Sequence, residues 1–246
     1  VNAVTLTPVG HIRGDFAEKF GTPRQPGLVP SARAFIELEP PYDDPQALRG
    51  LEACSHVWVI FGFHLNPLRE WSPTVRPPRL GGNRRLGVFA TRSPFRPNGL
   101  GLSVVTLDRV VDMPGRRGLA IAGHDLVDGT PVYDIKPYIP YSDAIPEACP
   151  PVRFDEAPAP MPVHFAAEAE AALAAAPAGL RRLIAETLAL DPRPAYRRGE
   201  QNRVHGVTLA GHNVLWTVQG GTLVVLSLEI SAPPSDTGDA QHGGGE

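Results

Sequence analysis

Lysine is almost missing from this chain: only Lys19 and Lys136 stand among its 23 basic residues. Cysteine is equally scarce. Cys54 and Cys149 lie far apart with no C-x-x-C spacing, which argues against a zinc site and supplies no disulfide framework, so no metal is expected. No apolar run of about 18 residues occurs, and the first residues lack a basic-then-apolar pattern. Neither a membrane span nor export is indicated, and the cytoplasm is the expected compartment. Several chemistries are also unsupported: the chain has no G-x-S-x-G, no P-loop, no H-E-x-x-H, and no G-x-G-x-x-G between a strand and a helix. The first 150 residues do not alternate strand and helix patterns, which sets aside a doubly wound nucleotide-binding fold.

What is present is a chain of 246 residues, 42% hydrophobic, long enough for one large or two small domains with a proper core. Apolar alternation predicts strands over residues 4–12, 34–39, 55–64, 87–90, 102–111, 118–123 and 132–135, with a short helical piece at 46–49. The strongest strand signal is SHVWVIFGFH, residues 55–64. Its two histidines, His56 and His64, share a face but lie roughly 26 Å apart in a regular strand, so they cannot share a ligand ion. His56, beside Trp58, reads as structural; His64, at the strand end, is a candidate pocket residue. A proline-rich linker is expected over residues 147–162. Two helices (163–176 and 179–190) and a small meander (205–209, 213–218, 222–230) follow, and residues 231–246 read as a disordered tail. The expected organisation is a mostly β N-terminal domain over residues 1–146 and a small α+β C-terminal domain over residues 163–230.

The chain centres on RPPRLGGNRRLGVFATRSPFRPNGLGLS, residues 76–103, where proline and glycine forbid a helix and hold arginines on loops around a short strand. From Arg69 to Arg96 there are seven arginines and one acid, Glu70, in a chain whose net charge is −3. A solvated charged face is one reading. The other is phosphate or nucleic-acid contact, because guanidinium forks bind phosphate with two hydrogen bonds and stack on bases. A second basic cluster follows in DPRPAYRRGEQNR, with Arg193, Arg197, Arg198 and Arg203. Arg24-Gln25-Pro26-Gly27 is either a plain turn or a stiff cradle for a small ligand. Asp125, Asp128, Asp134 and Lys136 crowd into DLVDGTPVYDIKPYIPY, residues 125–141.

PRQPGLV, GLEACSHVWVIFGFH, the arginine-rich stretch, DLVDGTPVYDIKPYIPY and DPRPAY occur in that order, and together the chain resembles the TsaA-like, TrmO-type family of tRNA N6-threonylcarbamoyladenosine-37 N6-methyltransferases. The resemblance extends to about Ile230. It implies an S-adenosyl-L-methionine-dependent enzyme on a single-sheet β-barrel, non-Rossmann, acting as a homodimer on the anticodon loop of tRNA. It implies a donor site at Gln25, Pro26, Gly27, His64, Leu65, Arg92 and Leu102, closed by Asp125, Leu126, Val127 and Asp128. The acceptor nitrogen is a poor nucleophile, its lone pair drawn into both a purine and a urea carbonyl, so a base is expected: Asp134 ahead of Asp128, or else His64. Arg69, Arg76, Arg79, Arg84, Arg85 and Arg96 are expected to meet phosphates. Asn98 and Tyr138 would lie nearer the base, and Lys136 would take the threonyl carboxylate or a phosphate. Two other readings remain: a non-catalytic sensor of S-adenosylmethionine, and a small-molecule methyltransferase on the same fold.

Overall fold

The computed structural model describes residues 3–67, 70–77, 84–151, 158–194 and 197–231. Its first unit is a closed barrel of six antiparallel strands: β1 (Gly10–Gly14), β2 (Arg33–Leu38), β3 (His56–Gly62), β6 (Leu100–Met113), β7 (Arg116–Ala122) and β8 (Pro131–Pro137), in the spatial order β1-β2-β7-β6-β3-β8. A two-stranded ribbon, β4 (Thr74–Val75) with β5 (Leu86–Gly87), lies between β3 and β6 in the chain. Alternation decides which side chains go inside. Ile12, Ile36, Val57, Val59, Val105, Leu119, Ile121 and Val132 fill the barrel and are 0–1% exposed, each contributing about 1.5–3 kcal/mol of burial.

Two irregularities tune the wall. Between Ile60 and Phe61 the pairing with β8 shifts, so Ile60 faces Asp134 while Phe61 faces Val132, and Tyr133 is the extra residue. That bulge lets both Val132 and Ile135 pack toward the core. A second shift, between Leu107 and Arg109, bends the long β6 where it leaves β3 and continues with β7. The barrel is the mostly β, non-Rossmann fold expected.

Two local expectations are corrected. Residues 4–8 alternate like a strand but are not one; pairing with β2 begins only at Gly10. The predicted strand at 87–90 is instead the end of β5 followed by a 3-10 turn, Val88–Ala90, anchored by buried Val88 while Phe89 stands 75% exposed. The short apolar run there has one inward residue rather than an alternating face.

After a one-turn helix α1 (Pro140–Asp143), the second unit is a four-stranded sheet in the order β10-β11-β12-β9. β9 (Val163–Phe165) runs parallel to β12 (Thr222–Ile230), with β10 (His205–Leu209) and β11 (His212–Gln219) antiparallel beyond it. The first predicted helix is thus shortened to α2 (Ala167–Leu173), and α3 (Leu180–Ala189) follows. Its core surrounds fully buried Trp216, and it takes in Phe16, Val29 and Ala32 from the β1–β2 connection, which crosses from one unit to the other. Among the described residues, no helix is long and apolar enough to cross a membrane.

Gly118 shows how closely the barrel strands approach. Its φ is +152°, and a Cβ built there would lie 1.8 Å from the Ile36 carbonyl oxygen. Gly118→Ala should therefore cost about 3 kcal/mol, read by equilibrium denaturation; a loss below about 0.5 kcal/mol would show that the β2–β7 wall can part.

Candidate active site

The β1–β2 connection brings Gln25, Pro26 and Gly27 onto the outside of the barrel. Gly27, with φ +79°, donates its N–H to Gly123 O (2.8 Å), so the turn is stitched to the end of β7. Beneath it lies an open cavity of about 370 Å³ bordered by Pro26, Gly27, Pro30, His56, Val104, Thr106, Ala122 and Gly123. Arg92 Nη1 donates to Gln25 Oε1, joining the arginine-rich stretch to the same turn.

Asp125 stands just after β7 and is partly buried, accepting a hydrogen bond from Ser103 Oγ (2.7 Å). Burial pushes its carboxyl up to about 6; the Ser103 hydrogen bond and the nearby Arg92 charge pull it back only in part. Its neighbour His124 is fully buried and pushed down to about 4 by burial. Leu126 N–H donates to His124 Nδ1 (3.3 Å), so the proton sits on Nε2, which donates to Arg33 O (3.1 Å). Leu126 itself fills the barrel core, so only its backbone can face a ligand, while Val127 is half-buried.

His64 follows β3 and is exposed, with Nδ1 3.5 Å from Thr130 Oγ1. Burial of its ring lowers its pKa, as do the charges of His11 and Lys19, against an opposing pull from Asp128. The imidazole is therefore neutral at pH 7 and able to accept a proton. Leu65 is exposed, and its carbonyl accepts from Lys19 Nζ (2.6 Å). Asp128 is occupied locally: its Oδ1 takes Gly14 N–H (3.0 Å) and its own N–H reaches Phe16 O (2.8 Å).

Strand register assembles the third group on the outer face of β6, β3 and β8. Leu102, Ile60 and Asp134 form one row; Val104, Trp58 and Lys136 form the next. Leu102 and Asp134 are thus two strand spacings apart, roughly 10 Å. Asp134 and Lys136 are exposed, with their charges 3.9 Å apart. The Tyr138 ring lies 5.9 Å from Trp58, whose indole N–H donates to Asp143 Oδ2 (2.9 Å) and so fixes α1 beside the row. His64 lies farther along the chain past the end of β3, four residues after Ile60, where the Asp128 charge acts on it, while Asp134 stands on β8 opposite Ile60.

Arg76, Arg84, Arg85 and Asn98 are exposed. Arg96 is half-buried and donates to Thr91 O (2.7 Å), with its guanidinium over the Phe89 ring, so it also holds the 88–91 turn. Arg69 and Arg79 lie outside the described residues. The second basic cluster is corrected: Arg193 is 2% exposed and bound to Asp191 (2.7 and 3.1 Å), so it is a buried strut rather than a surface charge. Arg198 approaches the same carboxylate (3.6 Å) and Arg203 pairs with Glu200 (3.3 Å). Among the described residues, no group of three or more His, Cys, Asp or Glu side chains could hold a metal ion.

Sequence reasoning missed Ser103 and His124. Ser103 could have been found as a hydroxyl at an inward position of an apolar alternation. His124, adjoining Asp125, carried no spacing signal.

Comparison with known proteins places these features in context. Residues 11–144 match the family model described as tRNA-methyltransferase O N-terminal domain, and residues 158–231 match that of the TrmO C-terminal domain. The chain is 48% identical over 225 residues to the tRNA (adenine(37)-N6)-methyltransferase of Escherichia coli K12, covering 90% of this chain and 96% of the relative. It is 48% identical over 219 residues to a putative S-adenosylmethionine-dependent methyltransferase of Pseudomonas aeruginosa, covering 86% and 91%. The crystal structure of TrmO from that organism aligns with a TM-score of 0.77 at 40% identity, over 94% of this chain and 99% of the other.

The raised Asp125 carboxyl carries a stability consequence. Its folded-state value, about 6, exceeds the ordinary 3.8, so its contribution is fully present below pH 3.8 and is lost as pH rises through 6. Asp125→Asn should thus raise stability at pH 8 by about 2–3 kcal/mol while leaving it nearly unchanged at pH 3.5. Equal melting shifts at both pH values would show that the carboxyl is not perturbed.

Proposed function

Because the chain belongs to the tRNA-methyltransferase O family, we propose that it is an S-adenosylmethionine-dependent enzyme that methylates N6 of adenosine 37 in tRNA, with the threonylcarbamoyl form as acceptor. The observation that supports the donor assignment is that Arg92 joins Gln25 and acts on Asp125, the chain neighbours of the Pro26, Gly27 and Gly123 that border the cavity. S-adenosylmethionine supplies an electrophilic methyl group on a cationic sulfur, and its other parts are a flat base, a ribose, a carboxylate and an ammonium. The residues present fit that set. The cavity offers an apolar wall in Val104 and Ala122 and open space at Gly27, Arg92 suits the carboxylate, and the partly buried Asp125 suits the ammonium or ribose hydroxyls.

The protein's work is then to exclude water, align the acceptor and remove a proton. For N6 to take the methyl group that the donor would supply, its proton must pass to a group of this chain. We assign that proton to Asp134, which shares its row with Leu102, a proposed donor contact; neutral His64 is the second choice and Asp128, tied to Gly14, the third. Lys136, beside Asp134, suits the threonyl carboxylate, and Tyr138 and Asn98 suit the base. Arg76, Arg84, Arg85 and Arg96 would receive anticodon-stem phosphates in the compartment that holds tRNA, the cytoplasm.

A second copy of this chain is the partner we assign to the exposed apolar side chains around α1, where Tyr141 is 91% exposed between Ile139 and Ile145. A monomeric mass by light scattering at micromolar concentration would remove that assignment.

Labelled donor incubated with tRNA, with and without the threonylcarbamoyl group, should leave methyl on the modified RNA alone; protein that binds donor and labels no RNA is a sensor instead. Asp134→Asn should slow single-turnover transfer at saturating donor by about 10²-fold or more, and an unchanged rate moves the base role to His64. With four arginines contacting phosphate, tRNA affinity should fall roughly a hundredfold between 50 and 200 mM salt. A flat response would mean the arginines meet no phosphate.

A further inference from the structure

The segment that carries Gln25, Pro26 and Gly27 is held by both units, and its apolar side chains go into the core of the second. Its first half enters the second core: Phe16 bridges Leu209, and the Ala210 N–H donates to Asp15 O (2.8 Å). Its second half does the same with Val29 and Ala32, both 0% exposed. Between them, Ser31 donates both its backbone N–H (2.8 Å) and its hydroxyl (2.7 Å) to one oxygen of Glu186 on α3, whose other oxygen takes Arg182 Nε (2.6 Å). The barrel side adds Gly27 N–H to Gly123 O (2.8 Å), Gly123 N–H to Ala32 O (3.0 Å), Asp128 N–H to Phe16 O (2.8 Å), the Phe16 ring 5.0 Å from His124, and the Arg92–Gln25 and Lys19–Leu65 bonds, but nothing to Ser31 itself among the described residues.

We propose that the C-terminal unit braces the donor site from behind, with Glu186 as a positioning residue that holds the β1–β2 connection in its donor-binding shape through Ser31. This rests on the donor assignment made above. The physical reason is conformational entropy. A connection of this length tied only at its strand ends samples many shapes, and a ligand that needs one of them binds more weakly by the fraction of chains that hold it. Two charge-assisted hydrogen bonds from Ser31, four residues after Gly27, to one carboxylate raise that fraction before the donor arrives. The unit therefore acts on the reaction from behind the pocket, touching neither donor nor reacting atoms.

Calorimetry on the full chain tests this. Glu186→Ala should raise the Kd for S-adenosylmethionine about tenfold, equivalent to about 1.4 kcal/mol, with the loss appearing in KM for the donor and not in kcat at saturating donor. Glu186→Gln, which keeps an acceptor oxygen, should recover most of that affinity. A lowered melting temperature with donor Kd within twofold of wild type would make Glu186 merely structural and overturn the proposal. Should Glu186→Ala fold poorly, hydrogen exchange on the wild-type chain decides. Coupling is reciprocal, so saturating donor should slow exchange at Ser31 and Ala210 amides, and protection confined to barrel amides overturns it. Wild-type protein that bound no donor would overturn the donor assignment and this inference together. Protein that binds donor and shows the Glu186 effect, yet leaves tRNA unmethylated, would overturn only the proposed reaction.

Discussion

A barrel of six strands has no room inside for anything but its own side chains, and that steric fact governs where every other part must go. Ile12, Val59, Val105, Ile121 and Val132 already fill the interior. A ligand site must therefore be built on the outer wall, where a strand offers only alternate side chains and little concavity. Depth comes from chain laid over that wall: the β1–β2 connection on one side, and the arginine-rich stretch reaching in through Arg92 on the other. Connections of that kind lack ladder hydrogen bonds of their own, which is why the second unit matters to the first.

The polar groups that follow β7 carry a cost that the hydrophobic core offsets. Asp125 is a carboxyl partly withdrawn from water, and that burial favours its neutral form more than one hydroxyl partner and one nearby guanidinium can offset. Left empty, such a group weakens the fold at neutral pH. In the proposed donor site a cationic ligand would pair with the same group, trading stability for complementarity. His124 behaves oppositely. Buried and neutral, with both ring nitrogens bonded to backbone, it ties the barrel to the connection through Arg33 O and the Phe16 ring, without taking part in chemistry.

Most strands were legible because apolar alternation is a local signal; β12, Thr222–Ile230, falls where the pattern puts it. The pattern failed where a segment alternates with nothing to pair against, as at residues 4–8, or where a short apolar run turns after one inward residue, as at Val88. Arg193 misled for a related reason: composition counts a guanidinium but cannot see the Asp191 carboxylate that closes over it. Of the proposed site, the residue types were readable and their grouping was not. Asp134 and Leu102 lie 32 positions apart in the chain, and only the register of β3 with both neighbours puts them in one row.

Order along the chain, then, was enough to establish a β-rich, non-Rossmann domain, a proline-marked change of composition, a concentrated arginine surface and the family to which these motifs belong. Each of those is carried by residues close together in sequence, where backbone preference and charge density act over a few positions. What only tertiary structure decided is which distant groups meet: Ser31 with Glu186, Gln25 with Arg92, Asp125 with Ser103. Those meetings depend on barrel closure and on two cores sharing one connection, and no local preference encodes them.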